Sequence, residues 1–276
     1  MTSATHPTNG AAATPTGRPP RETLLFPMLE GTKRAFVPVR RTFIQKPKGS
    51  GGTRGSSLAF LARDGSALDA YLLVHALASS SEPYQAVYPA ATWVQLARLD
   101  EAASFDAAKS RWSKVVTKLT QLHLIERERK GNEMQYRLLD EAGDGTPYKR
   151  PKNVSDGHWL RLPHSYWREG FDATLTHPEK LMLIIALDQA DGFILPFNQT
   201  ASWYGISEST ARRGLRGLET RGLLTKTSSF VPAPRSPTGW AEQFRYTLRG
   251  PFSKEAVDAA QAASRRKPGF VETSDT

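Results

Sequence analysis

Residues Trp203–Leu224 read WYGISESTARRGLRGLETRGLL, a segment that puts three arginines within five residues and two glycines inside a helical pattern. Ser207 stands in the N-cap position before Glu208, and the helix is expected to run to about Arg221. At about 100° per residue, Ala211, Leu215 and Leu218 fall on one side. Ser209, Arg213 and Arg216 fall on the opposite side, flanked by Arg212 and Thr220, with Thr210 in the first turn. Gly214 and Gly217 each cost about 1 kcal/mol relative to Ala in a helix interior. Gly214, near the apolar stripe, is assigned to close approach of the preceding helix, whereas Gly217 has no reason in the sequence. A helix that buries one stripe and projects Ser and Arg from the other suits the DNA major groove, where Arg pairs with guanine and hydroxyls reach phosphates or bases.

The segment has a second copy upstream. VVTKLTQLHLIER, from Val115, aligns with GLRGLETRGLLTK, from Gly214, at a constant offset of 99, pairing Val116 with Leu215, Leu119 with Leu218, Leu124 with Leu223 and Ile125 with Leu224. YRLL at Tyr136 matches YTLR at Tyr246 at an offset of 110, so the second hairpin is longer by 11 residues, supplied by VPAPRSPTGWAEQ. FVPVRRTFI from Phe36 and WLRLPHSYW from Trp159 share a lead-in phrase of apolar and hydroxyl or aromatic positions. Each copy is therefore expected to begin with that phrase.

The elements follow from periodicity. In the first copy, SALD at Ser66 is a capping-box form leading into ALDAYLLVHAL, and Pro89–Asp100 is a shorter helix with Trp93, Leu96 and Ala97 on one face. A third helix opens after Ser104 with Phe105, Ala108, Trp112, Val116 and Leu119 on one stripe, followed by two strands about a Gly131–Asn132 turn. In the second copy, Thr176–Glu179 is a capping box with Pro178 in the first turn, and Gly192 ends the helix around LMLIIALDQA. Phe193–Leu195 is a short strand, NQTASWYG a short helix, and LLTKTSSF and FRYTL the hairpin. The expected class is mainly α with small β-hairpins, an α+β fold, in two tandem domains at 35–140 and 158–252 joined by a polar linker, 141–157.

Outside these, Met1–Glu22 is rich in Thr, Ala, Pro and Gly without apolar periodicity, and residues 1–34 are read as a disordered basic tail. Residues 253–276 are read as a C-terminal tail in which SKEAVDAAQAAS forms a loose helix. Lys46–Ser57 is a flexible basic loop whose glycines fit neither phosphate-binding spacing, since no Gly-Lys pair occurs and Arg54 takes a required glycine position. The 37 Lys+Arg against 27 Asp+Glu give +10, of which residues 1–60 hold +7. That balance points to a polyanion. With no Cys, disulfides and thiolate metal sites are excluded. The six histidines show no ligand spacing, and LMLIIAL is too short to span a bilayer. A soluble, cytoplasmic, nucleoid-associated protein without cofactor, metal or membrane partner is expected.

The order of elements, the GLETRGLL helix end running into a strand, and the hairpin together resemble winged helix-turn-helix domains, present twice. The lead-in phrase and the tandem arrangement also resemble the replication initiators of plasmids and mobile elements; bacterial transcriptional regulators are the other resemblance. The resemblance implies that the third helix of each copy enters the major groove and that the hairpin contacts adjacent backbone or the minor groove. The candidate DNA-binding residues are Ser207, Ser209, Thr210, Arg212, Arg213 and Arg216 in the second copy. Ser110, Arg111, Ser113, Lys114, Thr117 and Lys118 are their counterparts in the first. Carried over from the family, Lys130, Asn132 and Arg235 are the wing candidates. The three prolines and Trp240 make the second wing a stiff, bulky loop, a departure from the family's short hairpin. No nucleophile triad or nickase-like histidine pair is present, so no enzyme is expected. The expected function is sequence-specific double-stranded DNA binding as a transcriptional regulator, with a replication initiator or a protein-interaction adaptor as alternatives. Self-association and the replication or transcription machinery are the further partners this reading allows.

Overall fold

The computed structural model describes residues 19–47, 49, 54–99, 104–152 and 154–265; the remaining parts of the expected tails, 1–18 and 266–276, lie outside the described residues. Helix α1 (Arg21–Gly31) precedes a first repeat of β1 (Phe36–Arg40), α2 (Arg41–Ile44), α3 (Ser57–Leu61), α4 (Gly65–Leu77), β2 (Gln85–Pro89), α5 (Ala90–Leu96), α6 (Phe105–Gln121), β3 (Ile125–Lys130) and β4 (Glu133–Leu138). The second repeat runs β5 (Trp159–Pro163), α7 (Ser165–Arg168), α8 (Phe171–Thr174), α9 (His177–Leu187), α10 (Thr200–Tyr204), α11 (Glu208–Thr220), β6 (Leu224–Pro232) and β7 (Trp240–Leu248). Helix α12 (Lys254–Arg265) follows it. The fold is mixed α and β with small antiparallel sheets.

The two repeats share backbone detail as well as order. In the first, β2 joins the hairpin to give the sheet order β2-β4-β3. In the second, a single bridge between Phe193 and Tyr246 takes the place of Ala86 opposite Tyr136. Left-handed turns recur: His123 (φ 52°) and Gly222 (φ 71°), at the repeat offset of 99, end the two long helices, and Arg98 (φ 54°) and Gly205 (φ 68°), at an offset of 107, lie in the turns before them. The chain then closes each helix with the same bond, from the Leu124 N–H to Leu119 O at 3.0 Å and from the Leu223 N–H to Leu218 O at 2.9 Å.

The two lead-in strands pair with each other. In the antiparallel β1–β5 ladder Pro38 lies opposite Arg161, and these are equivalent positions of the shared phrase. Flanking bonds obey the same exchange, from the Arg41 N–H to His158 O and from the His164 N–H to Ala35 O, both 2.9 Å. The joint is thus a local pseudo-twofold. Pro38 fits at its centre because alternate residues, not Pro38, make the ladder bonds. Val37, Val39, Leu160 and Leu162 are buried on one face, and the core they enter is continuous through both repeats.

Several expectations are corrected. The segment read as a disordered tail contains α1, whose Leu25 and Leu29 are buried and whose Arg21 pairs with Asp172 at 2.7 Å across the joint. Its apolar residues, Leu24, Leu25, Phe26, Met28 and Leu29, run almost consecutively about Pro27 and so trace no single helical stripe, and the partners that hold the helix are distant in sequence. The linker 141–157 is docked, with Glu141, Tyr148 and Arg150 buried and Arg150 donating to Ser79 O and Ser80 O at 2.9 and 2.6 Å. The C-terminal tail is a packed helix as far as Arg265: α12 buries Val257, and Asp258 holds Arg161 of β5 at 2.6 Å. Within Lys46–Ser57, Gly55 bridges Gln45 and Ser56 and Ser57 are buried, so the end of the segment is seated, while Lys46, Pro47 and Gly49 are exposed. Helix α4 is capped by Asp64, which accepts from the Ala67 N–H, rather than by Ser66. Phe105 is exposed because it begins the extra N-terminal turn of α6, beyond the stripe it was assigned to. Strand β2 lies between the two expected helices of the first copy, where the sequence pattern predicts no element. The second hairpin is no bulky loop: it has nine cross-strand pairs against six in the first, and its tip spans residues 233–239.

Candidate nucleic-acid interface

Helix α11 forms where expected. Ser207 accepts from the Thr210 N–H at 3.2 Å, Glu208 favours the positive end of the helix dipole, and Ala211, Gly214, Leu215 and Leu218 are buried. The helix lies so close on α9 that a methyl group at Gly214 would overlap the Pro178 carbonyl and Met182. The neighbour Gly214 accommodates is therefore the first long helix of the repeat, not the short one preceding α11. Gly217 gains its reason too: a side chain there would strike the Glu179 carboxylate. Glu179 completes the α9 capping box, accepting from the Thr176 N–H at 2.7 Å, and takes a bond from Arg221 Nε at 3.1 Å.

On the outer face the candidates divide by what they touch. Arg213 and Arg216 are exposed and have no hydrogen bond or ion pair among the described residues. Arg212 is engaged, with Glu208 at 2.7 Å and its guanidinium 4.0 Å above the Phe197 ring. Ser207 shares its hydroxyl with Ser209 and Thr210 at 3.0 and 2.8 Å. Arg213, Arg216, Thr220, Arg221, Gly217 and Glu179 line an open depression of about 490 Å³. Arg221, not among the candidates, lies about 80° round the helix from Arg213 and is engaged, donating to Glu179 and to Thr174 O at 2.8 Å.

Helix α6 is built alike. Ser104 caps it, Ala108, Trp112, Val116 and Leu119 are buried, and Trp112 Nε1 donates to the Tyr136 hydroxyl at 2.8 Å. Burial pushes that hydroxyl up to about 12 despite the bond from Trp112. Ser110, Arg111, Ser113 and Lys114 are exposed, and Arg111 and Lys114 have no bond or ion pair among the described residues. Thr117 donates to Ser113 O at 2.8 Å, and Lys118 pairs with Asp64 at 2.9 Å. Burial raises the Asp64 carboxyl, but the bonds from Lys118 and the Ala67 N–H outweigh it and hold the group below its ordinary value. Lys118 therefore also serves the α4 cap. Across the offset of 99, Ser110 corresponds to Ser209 and Lys114 to Arg213, giving both helices an exposed hydroxyl one turn before an exposed cation.

The hairpin candidates all stand in solvent. Lys130 lies opposite Glu133 beside the Gly131–Asn132 turn, and Arg235 sits on the tip of the longer hairpin. On that hairpin Lys226 and Arg245 were not foreseen; Lys226 is 3.7 Å above the Phe244 ring. Among the described residues no helix is long and apolar enough to cross a membrane, and no three His, Asp or Glu side chains gather as a metal site. Set against protein-family models, curated proteins and solved structures, the chain matches none of them.

Proposed function

We propose that the chain is a non-enzymatic, sequence-specific double-stranded DNA-binding protein built of two winged-helix units, α4–β4 and α9–β7, with α6 and α11 as the groove-reading helices. One observation carries this reading. At matching positions of two copies, a helix seated on a buried stripe projects an uncompensated cation, Lys114 or Arg213, one turn after a serine. An ordinary solvated face intersperses charges of both signs, whereas these cations are left free to displace counterions from phosphates or to bond base edges. The pseudo-twofold supports two half-sites met in opposite orientations by one chain. Regulation of transcription is the role that fits such a binder most simply. Replication initiation is the second reading, favoured because the lead-in phrase on which that resemblance rests is the element that joins the two copies.

The test is to select duplex sites from random sequence and measure binding of the wild type, Arg213→Ala/Arg216→Ala and Arg111→Ala/Lys114→Ala. Each double variant is expected to lose specific affinity at least tenfold and to lower the slope of log K against log salt by about 2. Unchanged specific binding by both variants would remove the assignment.

A further inference from the structure

The second hairpin is sided in a way that duplex recognition does not use. Its register places Leu224, Lys226, Ser228, Phe230 and Pro232 on one face with Trp240, Glu242, Phe244, Tyr246 and Leu248. At the base of this face Leu224, Tyr246 and Leu248 are buried and Phe244 packs against the core. Towards the tip the same face emerges into solvent, with Phe230 73% and Trp240 54% exposed. The opposite face carries Thr225, Thr227, Ser229, Arg245 and Thr247, without an aromatic ring. Three cross-strand pairs more than the first hairpin lift the rings about 10 Å further out. Phe230 and Trp240 are diagonal neighbours, about 7–8 Å apart, so their rings form one platform.

We propose that this platform stacks on the unpaired bases of single-stranded DNA. In function the proposal rests on the duplex-binding reading, since β6 leaves α11 directly through Gly222 and would deliver the rings beside a duplex held by α11. Flat rings standing clear of the surface need a flat, apolar partner, and in a duplex the base faces are already covered by one another. Unstacked bases offer them, and their phosphates supply the charge that matches Lys226 on the same face and Arg235 at the tip, against one carboxylate, Glu242. A second copy of the chain fits less well: each copy carries +10, and the hairpins would bring like charges together.

The experiment measures binding of a labelled oligothymidylate of about twenty nucleotides, and of the selected duplex, by fluorescence anisotropy. Sedimentation is run in parallel, on full-length wild type, Phe230→Ala/Trp240→Ala and the ring-retaining Phe230→Tyr/Trp240→Phe. The alanine pair is expected to weaken oligothymidylate binding tenfold or more and to change duplex binding less than threefold; the ring-retaining pair restores the wild-type value. Arg213→Ala/Arg216→Ala should show the reverse pattern. If the duplex is not bound but the oligothymidylate is, and the alanine pair abolishes that binding, the duplex reading fails and this one stands. No oligothymidylate binding by the wild type, or equal binding by the alanine pair, overturns the proposal. So does a wild-type dimer that the alanine pair converts to monomer, which would assign the rings to a second copy.

Discussion

Replacing Gly214 by alanine sets helix propensity against packing, and the two disagree in sign. In an open helix the change gains about 1 kcal/mol. Here the added methyl would overlap the Pro178 carbonyl oxygen and Met182, and the first of these is backbone in the capped first turn of α9, which has no rotamer through which to retreat. Overpacking costs typically about 1–3 kcal/mol, and a backbone neighbour puts this site at the upper end. The net expectation is destabilisation by about 1–2 kcal/mol, a fall in melting temperature of roughly 2–8 °C for a chain of this size. Thermal denaturation followed by circular dichroism measures it, with Gly31→Ala as control, because nothing lies within 4 Å of a Cβ at that helical position. On the duplex-binding reading Gly214→Ala should also weaken binding, since α11 must shift on its seat. A melting temperature equal to or above that of the wild type would refute the close approach of α11 and α9.

Arg21→Ala should cost about 3–5 kcal/mol, because Arg21 and Asp172 are 6% and 8% exposed and truncation strands a buried carboxylate. The exposed Arg168–Glu30 pair should cost within about 1 kcal/mol when broken, and equal losses in urea denaturation would contradict the docking of α1. Burial pushes the Asp188 carboxyl up to about 6 from 3.8, against Arg41 and His158, each 3.2 Å away. The folded state therefore holds this proton more tightly than the unfolded chain, and stability should fall as pH rises from about 4 to about 6, by at most about 3 kcal/mol. Asp188→Asn should flatten that segment of the urea-midpoint profile; an identical slope in the two proteins would contradict it. Inserting about five base pairs between the selected half-sites, half a helical turn, should abolish simultaneous engagement, whereas tolerance of the insertion would mean that the two halves move independently.

What could be read in the sequence was local. The Ser104 and Ser207 caps, the Thr176–Glu179 box, the Gly131–Asn132 turn and, Phe105 apart, the two buried stripes each sit within a few residues of their cause, and the structure places them as expected. The repeat was legible through the Leu and Tyr positions that line matching cores. What was illegible depends on partners far along the chain. Helix α1 is held by Asp172 and by Leu96 O, the segment 141–157 by Ser79, Ser80 and Arg40, and Gly217 by Glu179. Composition cannot distinguish a polar segment that is solvated from one whose few polar groups all find partners. The same limit applied in part to the site: spacing put Arg212 and Arg213 on one exposed arc, and what separates the engaged guanidinium from the free one is Glu208, one turn earlier on the same helix, together with Phe197, which the fold brings in.

The joint between the repeats bears on how such a protein would choose a site. Two reading units on a tether search for half-sites separately and tolerate variable spacing, at an entropic cost set by tether length. Here the lead-in ladder, the Arg21–Asp172 pair, the Lys180–Asp69 pair at 2.7 Å and the bond from the Arg54 N–H to Ser202 O lock the units into one core. Spacing then becomes part of the specificity, because a mismatch must strain either the joint or the duplex. The halves are also unequal. At matching positions α11 offers a guanidinium, Arg213, whose planar fork distinguishes guanine, and α6 an ammonium, Lys114, which acts as a point charge. On the duplex-binding reading, the half-site under α11 is therefore the more stringent in sequence, and the one under α6 contributes more through phosphate contact and fixed distance.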